Sequence, residues 1–127
     1  MGLIGEKAKK QKKIAEQEKE ISKKRFDIAK KLEQIGNEED KVLSLEKDVS
    51  NLKRDLEDKQ ADALRAKNEK DKAKREKKAA EIKEKLAKKE KEVAQIKERF
   101  EKRKSEVTDL EKSINELERK IIEIKGH

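Results

Sequence analysis

Seven aliphatic residues of this chain recur at intervals of seven: Ile14, Ile21, Ile28, Ile35, Val42, Val49 and Leu56. A second series runs Ala79, Leu86, Val93, Phe100, Val107, Ile114 and Ile121. An α-helix turns once in about 3.6 residues, so a repeat of seven keeps an apolar edge on one side only when the helix winds around a partner. From Leu56 to Ala79 is 23 residues, three heptads plus two, so the two series are out of phase. The pattern predicts an all-α coiled coil with two seams rather than one.

The composition narrows the choice further. Hydrophobic residues make up 31% of the 127 and charged residues 54%, whereas a globular domain of this size is nearly half apolar. There is too little apolar material for a compact core and its pocket. High charge with low hydrophobicity also suits disorder, but a disordered chain has no reason to place aliphatics every seventh residue. The abundant Ala, Glu, Lys, Leu, Gln and Arg are strong helix formers. Acid-to-base pairs at i, i+4 (Asp55–Lys59, Asp71–Arg75, Glu81–Lys85, Glu84–Lys88, Glu98–Lys102, Glu116–Lys120) each add about 0.2–0.5 kcal/mol to a helix.

The chemistry-bearing residues are few. The chain has no Cys, its single His is His127, and no Gly-rich phosphate loop occurs. Carboxylates are plentiful, but on a thin coiled coil they face water, where nothing shifts their pKa. Glu38, Glu39 and Asp40 are adjacent, and adjacent helical residues point in different directions, so they do not form a metal site. The expectation is a non-enzymatic protein with no cofactor, no metal and no small-molecule substrate. No run approaches the length of a membrane span. The opening Met1, Gly2, Leu3, Ile4 and Gly5 is too short for a signal peptide, and Glu6 departs from the myristoylation pattern. The cytoplasm is the default compartment. Gly126-His127 reads as the beginning of a purification tag, which leaves room for a longer native protein.

Counting Ile14 as position a, the d positions of the first half are Gln17, Lys24, Lys31, Glu38, Leu45, Leu52 and Lys59, of which two are apolar. Those of the second half are Ile82, Lys89, Ile96, Arg103, Leu110, Leu117 and Ile124, of which five are apolar. Leu32, an e position, widens the first stripe locally. The first half is a poor zipper with itself and needs the broader apolar face of the second. Between the two series, Leu64 is the one large apolar residue from about Asp58 to Lys78. Folding at the midpoint, Lys67-Asn68, lays Leu56 near Ala79, Ile35 near Phe100 and Ile14 near Ile121. The organisation expected is an antiparallel helical hairpin: residues 1–66 as the first coiled-coil helix, 67–70 as the turn, 71–127 as the second. Asn68 tolerates the left-handed conformation that a helix end often needs.

Charge supports this direction. Residues 1–35 carry net +5, residues 36–66 net −3, residues 67–91 net +6 and residues 92–127 net zero, within a total of +8. The hairpin apposes the acidic block to the most basic one, whereas a parallel in-register dimer stacks like on like. Each exposed pair is worth at most about 1 kcal/mol, so the direction of the bias matters more than its size. Two other architectures remain open on sequence: one continuous long helix in a parallel assembly, and a break at Gly36-Asn37, where Gly would end a helix and Asn with the following acids would start the next. Against that break, Ile28, Ile35 and Val42 keep one phase across it.

The seam residues are the first functional candidates, with other coiled-coil helices, in a homo-oligomer, as their partners. The function expected is a structural and oligomerisation module, a rigid spacer or scaffold acting through helix–helix pairing. A second reading is an electrostatic binder of nucleic acid or an anionic membrane surface. Its candidate contacts are Lys67, Lys70, Lys72, Lys74, Arg75, Lys77 and Lys78, interleaved with Glu69, Asp71 and Glu76. No aromatic residue occurs there, so base stacking is unavailable. A third reading is a coiled-coil fragment of a larger signalling protein. Phe26, off the seam, together with Ala15, Ala29, Ala80, Ala87 and Ala94 beside it, would allow a further helix to approach.

The apolar tip at Met1–Gly5, followed by Lys7, Lys9, Lys10, Lys12 and Lys13, resembles the opening of membrane-remodelling helical hairpins of the ESCRT-III kind. That resemblance covers about a dozen residues and implies a membrane-contacting N-terminus; the extra helices by which that family polymerises have no counterpart here. In composition alone, the Lys/Glu-rich helices are similar to the coiled-coil spacers before bacterial TIR-type signalling domains and to SMC-type arms.

Overall fold

The structure, a computed structural model, describes the backbone of residues 2–126 and the side chains of residues 5–126. It is a helical hairpin: α1 (Gly2–Leu64) and α2 (Glu69–Gly126) pack against each other. The continuous-helix alternative is thereby set aside, and so is the break at Gly36-Asn37. Gly36 lies inside α1, and no described residue has positive φ. A helical glycine costs about 1 kcal/mol. Ile35 and Val42, on either side of it, are both buried, which offsets that cost. Glu38, Glu39 and Asp40 are therefore mid-helix residues rather than a helix start.

The connection occupies residues 65–68, two residues earlier than the expected 67–70, and local hydrogen bonding explains the shift. The end of α1 tightens into i→i−3 bonds: the Arg65 amide donates to the Asp62 carbonyl at 3.1 Å and the Ala66 amide to Ala63 at 3.3 Å. Such bonds satisfy carbonyls that a helix end otherwise leaves unpaired. Asn68 does not adopt the left-handed conformation. It caps α2 instead, its Oδ1 accepting from the Asp71 amide at 2.7 Å while the Lys72 amide donates to its carbonyl at 3.0 Å. Glu69 and Lys70 thus belong to the first turn of α2, where Glu69 and Asp71 suit the positive end of the helix dipole.

The chain divides into two compact units. The first joins residues 1–36 to residues 101–127, and its core is Ile21, Ile114, Leu117 and Ile121, with Ile14 and Ile28 packed against it. The second, residues 37–100, contains the turn; its core is Val42, Leu45, Val93 and Ile96, flanked by Val49 and Phe100. Among the described residues no side chain is wholly shielded from solvent. A helix with a single neighbour buries one stripe and leaves the rest of its surface to water, which is why a chain so rich in charge can fold this way.

Candidate functional site

Two features of the hairpin bear on function: the line along which the helices meet, and the basic turn end. Of the residues on the two seven-residue series, Ile21, Ile35, Val42, Ala79, Leu86, Val93, Val107, Ile114 and Ile121 are buried. Ile14, Ile28, Val49, Leu56 and Phe100 are half-buried. Leu45, Ile96 and Leu117, at d, join the buried set. So does Ala63, which continues the first series one heptad beyond Leu56; its small side chain hid that continuation in the sequence. Leu32 does not widen the stripe. At 52% exposure it faces solvent, as expected for an e position when the partner helix covers only a and d.

The polar d positions of α1 are accommodated rather than excluded. Gln17, Lys24, Lys31, Glu38 and Lys59 are all half-buried. A lysine can lay its aliphatic stem along the seam and carry its ammonium to the rim. Lys31 does so, donating from Nζ to Glu106 Oε2 at 2.8 Å. That hydrogen bond raises the Lys31 pKa and lowers that of Glu106; the mutual attraction of the two charges adds to both shifts, and partial desolvation opposes them. Gln17 Oε1 is shielded from water and accepts no hydrogen bond among the described residues, a cost that an aliphatic residue at that d position would not carry.

Ion pairs also join the helices along the seam's edge. In the first unit Arg25 meets Glu118 at 2.8 Å. In the second, Glu46 meets Lys97 at 2.8 Å and Lys53 meets Glu90 at 3.9 Å. One heptad forward on α1 is one heptad back on α2, the signature of an antiparallel register. All four residues of the second-unit pairs are e positions, which face each other across an antiparallel pair.

At the turn, Arg75 is committed within the hairpin. Its Nη1 donates to the Asp62 carbonyl at 2.8 Å and lies 3.8 Å from the Asp62 carboxylate, while Nη2 pairs with Asp71 at 3.0 Å. The last turn of α1 contains no basic residue of its own. Arg75 of α2 supplies the positive charge that the end of the helix dipole favours. The other candidates, Lys67, Lys70, Lys72, Lys74, Lys77 and Lys78, are exposed. The side chains of Met1, Gly2, Leu3 and Ile4 lie outside the described residues, as does His127, so the apolar tip carries no structural account; Lys7, Lys9, Lys10, Lys12 and Lys13 are exposed. Phe26 is 65% exposed, with the Lys30 ammonium 5.2 Å from its ring centroid. One turn along its own helix, that lysine covers part of the ring with a cation–π contact.

Among the described residues, no group of three or more His, Cys, Asp or Glu side chains could hold a metal ion, and no helix is long and apolar enough to cross a membrane. No polar or charged residue among them is buried. The concave surfaces are grooves beside the seam, such as one lined by Asp48, Asn51, Leu52, Lys85, Lys89 and Glu92. No protein-family model, curated protein or solved structure matches the chain.

Proposed function

We propose that this protein is a non-enzymatic coiled-coil module, a stiff spacer or scaffold that works by pairing helices and that self-associates through them. One observation carries the reading: the packed side chains come from heptad positions of two long helices, and most charged side chains stand outside the seam in water. A catalytic acid or base needs an enclosed site that excludes solvent as well as a shifted pKa; the shifts at Lys31 and Glu106 come from a hydrogen-bonded ion pair at the seam's rim. A spacer needs length, stiffness and a defined register. Those follow from long uninterrupted helices, an interlocked aliphatic stripe and cross-helix pairs at e.

Among the described residues, five large apolar side chains are exposed outside the seam: Phe26, Leu32, Leu43, Leu64 and Ile122. They are scattered enough for a monomer to tolerate, but Leu43 on α1 and Ile122 on α2 fall on b positions, the register position that also carries Ala15 and Ala29 on α1 and Ala80, Ala87 and Ala94 on α2. Self-association through these b-position side chains is the oligomerising part of the reading. Sedimentation equilibrium from micromolar to millimolar chain concentration tests it. The expected result is a reversible rise in mass above 14.8 kDa, weakened by a Leu43→Lys/Ile122→Lys variant that keeps its helicity. A single monomeric mass at every concentration would remove self-association from the function.

A further inference from the structure

We propose that the turn end of the hairpin docks on an anionic lipid surface, with Lys70, Lys74 and Lys77 making the charge contact and Leu64 entering the headgroup boundary. The three lysines are spaced i, i+4, i+7 and so share one face of α2; all are exposed. Lys67, Lys72 and Lys78 are exposed beside them. Among the described residues, no acidic residue of α1 forms an ion pair with these lysines. The pairs that bridge the helices of this unit include Glu46–Lys97, Lys53–Glu90 and Asp62–Arg75. Arg75 is the only member of the basic run among them, and none of the six lysines is in an ion pair among the described residues. The run is therefore more than the complement of the acidic block: with Glu69, Asp71 and Glu76 interleaved it still carries net +4 over residues 67–78, and Asp71 is engaged by Arg75 rather than by a lysine.

Leu64 is the second signal. It is the final residue of α1 and is 82% exposed, the most exposed large apolar side chain among the described residues. It lies at the rim of a groove shared with Ala63, Ala79 and Ala80 and with the polar Gln60, Glu76 and Lys83. A lone basic cluster or a lone apolar residue binds membranes marginally, and stable association takes both. A nucleic acid would use the lysines but has no use for the leucine. With no aromatic residue between Phe26 and Phe100, its bases would also find nothing to stack on.

The test uses the full chain and co-sedimentation with phosphatidylcholine vesicles, with and without phosphatidylserine, with a 20-base-pair DNA duplex as a second probe. A lysine near an anionic surface contributes about fivefold in affinity. A Lys70→Gln/Lys74→Gln/Lys77→Gln variant should therefore lose on the order of a hundredfold in binding to phosphatidylserine vesicles. Leu64→Ser should lose several-fold on vesicles and nothing on duplex. Binding should fall steeply with added salt. Both variants substitute exposed residues, and circular dichroism checks that helicity is kept. The proposal is overturned if the chain binds neither vesicle, or if it binds the duplex more tightly than the vesicles with Leu64→Ser without effect. It is equally overturned if vesicle binding survives the triple substitution and is lost instead in a Lys9→Gln/Lys10→Gln/Lys12→Gln/Lys13→Gln variant.

Discussion

Arg75 crosses the turn to hold the Asp62 carbonyl of α1, and that single side chain closes the hairpin at both charge and hydrogen-bond level. Arg75→Met keeps much of the stem but removes the donors, and should lower stability by about 1 kcal/mol while speeding amide exchange at 62–66. Urea denaturation and hydrogen exchange read the two effects, and unchanged exchange there would show the latch to be idle. Asn68→Ala should cost about 1 kcal/mol, with Asn68→Asp close to the parent, because the cap requires only an acceptor oxygen. The Lys31–Glu106 pair gives a pH signature. The Glu106 pKa is lowered by folding, so its contribution is complete above the ordinary value of about 4.3 and is lost as pH falls through the folded value. The Lys31 pKa is raised, so its contribution is complete below about 10.4 and is lost as pH rises through the folded value. A Lys31→Met/Glu106→Gln double-mutant cycle should give a coupling that is flat between those limits and fades on both sides. A coupling that varied through neutral pH would assign the titration to other groups.

At the scale of the helix, Gly36 is the informative position. It is helical, and a Cβ added there meets nothing within 4 Å. Gly36→Ala should therefore stabilise the protein by up to about 1 kcal/mol, measured as a rise in the denaturation midpoint; a loss would mean that the helix bends or opens there. Ile96, at 4% exposure the most buried residue of its cluster, should cost about 2–4 kcal/mol as Ile96→Ala. The hairpin was legible in the phase slip between the two apolar series, because a seam cannot skip two residues without an interruption. The turn was displaced because its position depends on Asn68 acting as a helix-starting cap, a choice between two roles that one residue type can play. Half of the role of Arg75 is local, its i, i+4 pair with Asp71, but the other half is not, since only folding brings it to the carbonyl of Asp62, 13 residues away. Leu32 misled because an apolar residue at e is buried only where the partner extends past a and d.

For the molecule as a whole, the central claim is that the two seams of one chain close on each other in antiparallel register. The chain has no native cysteine, so spin labels can be placed at will. Glu46→Cys and Lys97→Cys put labels at an exposed rim position on each helix, where the native side chains meet at 2.8 Å. The labelled chain would be diluted into excess unlabelled protein, so that pulsed electron resonance reads distances within one molecule. Helices packed at about 8–10 Å between axes place the labels within about 25 Å of each other. On an uninterrupted helix, by contrast, the 51 residues between the sites span about 77 Å. A narrow distribution at the short distance is the predicted result, and a population at the long one would contradict the hairpin and the pairing function built on it.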